Sequence, residues 1–214
     1  MFKKGKRITA WLLVFTLLAG ITGCAALPKF DAAKFLEASL DYVFKNDTSK
    51  AVELGIDTGE NLETIHSSMM DQMVESFFTG VPVSNELKQR YRNIFADLLL
   101  KANYTVKDSQ KLSDNSYAVT VSYSQMKIFG PTLKKIKKNL NKLSTASKEI
   151  YIENYFTLVA ESMEKILSDE LEYGTEEVMV FHIDLEKNKY KLNMEDVMTL
   201  VMGLIDYDAA SQNW

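Results

Sequence analysis

Cysteine is almost missing from this chain of 214 residues, in which Cys24 stands alone. A single thiol excludes an intramolecular disulfide framework, a four-thiolate zinc site and an iron–sulfur cluster built by this chain. Histidine is nearly as scarce: His66 and His182 are all that remain for metal or triad chemistry. With only 3 prolines and 9 glycines the chain is neither collagen-like nor of low complexity, and 46% hydrophobic against 25% charged residues is a globular balance. No Gly/Ser/Pro linker divides it and no repeat at solenoid spacing appears. Basic charge is short as well. Lys3, Lys4, Lys6 and Arg7 lie in the first 23 residues, which hold no acid, so the rest carries 21 basic against 29 acidic side chains, a net of -8. A chain of that sign lacks the basic footprint of a nucleic-acid binder, and no nucleic-acid partner is expected.

What is present begins with an address. The basic start is followed by the apolar run Ile8 to Ile21, 14 residues, too short to span a hydrocarbon core at about 1.5 Å per residue. Such a run reads as a signal peptide. It ends in Ile21-Thr22-Gly23-Cys24, which resembles the lipobox of bacterial lipoproteins: an aliphatic residue, a β-branched or small one, a small one and the cysteine. The resemblance implies a diacylglycerol on the Cys24 thiol, cleavage before it, and a partner in the membrane reached through that lipid. Residues 1–23 are then a signal peptide, 24–29 a lipid-anchored tether, and 30–214 a single extracytoplasmic domain at the cell membrane.

Along that domain the apolar residues first recur at helical spacing. Leu36, Leu40, Val43 and Phe44 form one stripe between Phe30 and Asn46, and a short helix follows through Leu54, with Gly55 as its stop. Leu62, Ile65, Met69, Met73 and Phe77 predict a third helix before Gly80 and Pro82, and Ser84 opens a fourth with Leu87, Tyr91, Ile94 and Leu98. The period then changes to two. Tyr117, Val119, Val121 and Tyr123 alternate with small residues, Tyr104 and Val106 start a partner strand, and Ser113-Asp114-Asn115 supplies the turn of an antiparallel hairpin. Gly130-Pro131 is expected to end the pair, and helices are expected over Leu133 to Leu143 and from about Lys148 to Tyr173, stopped by Gly174. A second hairpin covers Val178 to Leu192, and Asn193 caps a last helix with Val197, Leu200, Val201 and Leu204 inward. This is an α+β fold, helices packed on one face of a short antiparallel sheet, and the helices carrying Leu98, Phe156 and Val159 are expected to lie on that sheet. Leu54-Gly55-Ile56, Tyr117-Ala118-Val119-Thr120-Val121 and Asn188-Lys189-Tyr190-Lys191-Leu192 resemble Gram-positive lipoproteins of the domain-of-unknown-function family 5105. That resemblance implies an NTF2-like, cone-shaped fold and no catalytic residues.

Few constellations carry chemistry. Ile56-Asp57-Thr58-Gly59 matches the aspartic-protease triplet but follows a helix, so it reads as a helix stop and loop. His182 has Asp184 two residues on along one strand, with no nucleophile in the pattern; His66 has no second ligand one turn away. Asp169, Glu170, Glu172, Glu176 and Glu177 lack the order of a calcium loop. No catalytic residue, metal ligand or cofactor is expected, and the protein is not expected to be an enzyme. Two binding features stand out. Lys134, Lys135, Lys137 and Lys138 lie on an amphipathic helix that reads either as a solvated face or as a contact for an anionic surface. Tyr117 and Tyr123 in an apolar wall form either a polar-tipped ligand pocket or a satisfied core pair. The expected function is a non-catalytic binding module for a small apolar ligand, a peptide or a surface protein. The alternative is a structural or assembly partner of an envelope membrane complex.

Overall fold

The computed structural model describes residues 22–24, 30–57, 62–139, 148–186 and 189–206. In chain order the elements are β1 (Thr22–Cys24), α1 (Ala32–Lys45), α2 (Ser49–Glu53), β2 (Ile56–Asp57), α3 (Leu62–Phe77), α4 (Asn85–Leu100), β3 (Asn103–Ser113), β4 (Ser116–Lys127), α5 (Phe129–Asn139), α6 (Lys148–Lys165), β5 (Glu172–Glu186), β6 (Lys189–Leu192) and α7 (Met194–Leu204). The strands form one antiparallel sheet in the order β2-β1-β6-β5-β4-β3. The expected α+β class holds.

Helix α1 organises the interior. Asp31 caps it by accepting the Lys34 N–H at 3.1 Å, and Asn46 ends it in the left-handed region at φ 53°. The expected stripe of Leu36, Leu40, Val43 and Phe44 is buried, but so are Ala32, Phe35, Ala38, Ser39, Asp41 and Tyr42. A helix buried nearly all round has protein on both sides. Helix α1 accordingly lies on β3 and β4, with α4 packed against its other side and α3 and α6 against α4. Helix α7 covers β4 and β5. The expectation that the helices of Leu98, Phe156 and Val159 meet the sheet is therefore corrected: α4 and α6 form a second layer, and α1 and α7 occupy the place directly on the strands.

The two hairpins share an inward face, as their alternation predicts. Val119 lies opposite Phe181, Val121 opposite Met179 and Tyr117 opposite Ile183. Val119, Val121, Phe181 and Ile183 are fully buried under the helices. On the other face Val178 and Val180 are 61% and 45% exposed. In the second layer Phe78, Phe95 and Phe156 pack edge to face or tilted around Phe77 and Tyr91, which stack on each other at 5.0 Å, and the buried Tyr91 hydroxyl donates to the Phe156 carbonyl at 2.9 Å.

Two expected boundaries are corrected. Gly130 and Pro131 lie inside the first turn of α5, where a proline is tolerated because its missing N–H would have had no helical partner. Their neighbours are capped from a distance: the Asp206 carboxylate accepts the N–H groups of Ile128, Phe129 and Gly130 at 2.9, 2.7 and 2.9 Å. Gly174 stops no helix. Helix α6 widens into a π turn over Ile166–Glu170, Leu171 turns extended, and Tyr173 already pairs with Met126 across β4. The ladder claims this backbone before the glycine is reached. Leu143 of the expected lysine helix lies outside the described residues.

Candidate functional site

The described residues form a cleft of about 270 Å³ where α1, α2 and the start of β3 meet, lined by Glu37, Asp41, Lys45, Lys50, Tyr104, Thr105 and Val106. Glu37, Asp41 and Lys45 follow each other at four-residue spacing and share one face of α1. Asp41 is 6% exposed. Its Oδ1 accepts from Lys45 Nζ at 2.9 Å and from the Tyr104 hydroxyl at 2.7 Å; its Oδ2 accepts from Lys50 Nζ at 2.8 Å. Lys50 Nζ also donates to Glu37 Oε1 at 2.9 Å, and Lys45 lies over the Tyr104 ring, 4.7 Å from its centroid. Burial pushes the Asp41 carboxyl up, and hydrogen bonds from Lys50, Lys45 and Tyr104 outweigh it, holding the group below its ordinary value. Burial, with the bond to Asp41 added, raises the Tyr104 phenol, so it stays protonated and donates. Hydrogen bonds to Asp41 and Glu37 raise Lys50. Two cations and two anions thus neutralise each other, and a charged ligand entering this cleft must displace one of them.

Sequence reading did not single this cleft out. The ladder Glu37, Asp41, Lys45 is a legible signal on a helix, but Lys50 and Tyr104 arrive from α2 and β3 and only the fold brings them in.

The residues that were singled out lie elsewhere. Tyr117 packs edge-on against Phe30 and Tyr190, with centroids 5.2 and 5.9 Å away, while Phe30 stacks flat on Tyr190 at 3.4 Å. Burial and a hydrogen bond to Tyr117 raise the Tyr190 phenol. Tyr123 donates to Glu177 Oε2 at 3.0 Å and lies against Gly203. The two tyrosines are therefore not brought together, and neither lines the cleft. In α5 Leu133 and Ile136 are buried, leaving Lys134, Lys137 and Lys138 exposed and Lys135 half-buried. The described part of its apolar stripe, Leu133 and Ile136, thus faces inward.

His182 is half exposed, and its partner is Asp196 of α7 rather than Asp184: one carboxylate oxygen takes the His182 backbone N–H at 2.7 Å and contacts ring Nδ1 at 2.9 Å. His66 hydrogen-bonds the Val43 backbone; burial lowers its pKa, and Arg92 adds to that. Glu176 pairs with Lys107 at 3.1 Å. Thr58 and Gly59 of the protease-like triplet lie outside the described residues, and Ile56–Asp57 pair with β1. No helix among the described residues is long and apolar enough to cross a membrane.

With this geometry in view the chain can be placed among known proteins. Its fold is shared with ycdA, a candidate lipoprotein of Bacillus subtilis strain 168 seen by crystallography, at a TM-score of 0.59 and 18% identity. The alignment covers 91% of this chain and 59% of that one. This chain therefore spans about three-fifths of the length of ycdA. No family model matches it, and no curated protein does.

Proposed function

We propose that this protein is an extracytoplasmic lipoprotein, held at the cell membrane by acyl chains on Cys24, that works as a non-catalytic binding module. The observation that carries the reading is the order basic start, 14-residue apolar run, Ile21-Thr22-Gly23-Cys24. The fold shared with ycdA supports it. Two acyl chains hold where one binds only marginally, at about 0.8 kcal/mol per buried methylene. Expressed in a bacterium that processes lipoproteins, the chain should be recovered in the membrane with a diacylglycerol mass on an N-terminal Cys24. Cys24→Ala should stay unprocessed or leave the membrane fraction. An unmodified Cys24 thiol on the membrane-bound wild-type chain would end this reading.

A surface partner is favoured over a small apolar ligand. Ring contacts surround Tyr117 and the described cleft is lined by paired charges, whereas the uncovered sheet face presents Val178 and Val180 to solvent. A photo-cross-linker at Val180 in the anchored protein should capture a neighbour that the same group at Leu100, on the helical side, does not.

A further inference from the structure

The strands share one end, and the anchor is there. Strand β3 runs toward its turn at Asp114 and Asn115, β5 ends at Glu186 and β6 starts at Lys189. Cleavage before Cys24 removes Thr22 and Gly23 and with them the β1 ladder, so the anchor is placed by Phe30, the next described residue of the mature chain. The lysine helix α5 starts at the opposite end, just beyond Lys127.

An aromatic contact ties the mature chain down at this end. Phe30 stacks on Tyr190 of β6, two rings from Tyr117 of β4 in one aromatic group. Six peptide steps separate Cys24 from Phe30, a reach of about 20 Å even when fully extended. Acyl chains on Cys24 therefore cannot leave this end of the sheet far from the lipid.

The surface there suits a bilayer. Leu112, at the tip of the β3–β4 hairpin, is 53% exposed. Three strand spacings separate β3 from β6, where Phe30 is held, about 14 Å across the sheet, so tip and anchor can reach one plane. Charge agrees. At these strand ends Lys111, Lys189 and Lys191 balance Asp114, Asp184 and Glu186, with Lys111 bonded to Asp114 at 2.8 Å and Lys191 to Glu186 at 2.8 Å. The chain from Cys24 onward carries -8, so anionic headgroups repel the domain as a whole but meet no net negative charge from the described residues here.

We propose that the turn end of the sheet, with Leu112 at its tip, rests on the bilayer that holds the Cys24 acyl chains, so that the domain stands on that membrane in one orientation. This rests on the anchor reading above. The orientation turns the lysine helix away from the anchoring membrane and leaves the face of Val178 and Val180 upright beside it, open to a neighbour.

Leu100 supplies a matched control. It is 54% exposed against 53% for Leu112 and lies just before the other end of β3, about 30 Å away along the strand. Full-length Leu112→Cys and Leu100→Cys chains, made in a lipoprotein-processing bacterium so that Cys24 is blocked by acylation, are labelled with a polarity-sensitive dye. They are then reconstituted into vesicles of phosphatidylcholine and phosphatidylglycerol, with and without a lipid that carries a quencher. The quencher should reduce emission from position 112 at least threefold more than from position 100, with a blue shift at 112 alone. Equal quenching, or stronger quenching at position 100, overturns the orientation while the chains still float with the vesicles. Dye uptake by the unsubstituted chain, with no flotation, shows a free Cys24 and removes the anchor reading and the orientation together.

Discussion

Asp41 faces two lysines and a phenol with a side chain that is 9% exposed. Without this carboxylate Lys45 and Lys50, 37% and 45% exposed, can turn to solvent, but the buried Tyr104 hydroxyl loses its acceptor, at a cost of about 1–3 kcal/mol. Asp41→Ala should therefore lower the free energy of unfolding by about 2 kcal/mol in urea titrations near neutral pH. Acid should reveal the same network. The folded-state pKa of Asp41 lies below 3.8, so the folded chain takes up this proton less readily than the unfolded one. The stability it contributes is whole above the unfolded value and is lost as pH falls through the folded one. The gap between wild type and Asp41→Asn should accordingly be full above the ordinary carboxylate range and shrink as pH falls through and below it, with a constant gap the outcome that contradicts an ionised Asp41.

On the scale of one element, α7 holds a glycine where helix propensity asks for another residue. Gly203 lies against Tyr123 so closely that an added Cβ would sit 2.6 Å from ring Cε2, 2.7 Å from the hydroxyl oxygen and 2.8 Å from Cζ. The ring cannot swing aside freely, because its hydroxyl is bonded to Glu177 across β5. Propensity alone makes Gly203→Ala favourable by about 1 kcal/mol, and overpacking costs about 1–3 kcal/mol. The clash should win: Gly203→Ala is expected to destabilise the protein, and in a Tyr123→Leu background the same change should turn neutral or stabilising. Urea unfolding of the four chains of that cycle gives the coupling directly. Absence of coupling would mean that the ring is not held on the glycine.

For the whole molecule, α1 is the common wall of two layers. Its one side lies on β3 and β4 and its other against α4. Neither layer keeps its buried face if α1 leaves, so the sheet and the outer helices should unfold in a single transition. Amide hydrogen exchange tests this: the slowest amides of α1, β4 and α4 should share one opening free energy. A separate, lower value for α3, α4 and α6 would divide the domain in two.

Much of the layout was legible in the residues because it depends on local periodicity. The alternation over Tyr117 to Tyr123, the stripe in α1, the caps at Ser84 and Asn193 and the left-handed Gly55 need only neighbours in the chain, and each appears in the structure. The lipobox-like Ile21-Thr22-Gly23-Cys24 is legible for the same reason, since its four residues are consecutive. What could not be read is what long-range partners decide. Which helices touch the sheet depends on how much of each is buried, and a stripe at helical spacing does not say that α1 is covered on its second side. Helix α5 starts at Phe129 because Asp206, far along the chain, caps it, and α6 gives way before Gly174 because β4 pairs with that backbone. The charge cleft follows the same rule: one ladder of Glu37, Asp41 and Lys45 was written on a single helix, but Lys50 and Tyr104 reach Asp41 only once α2 and β3 have packed beside it.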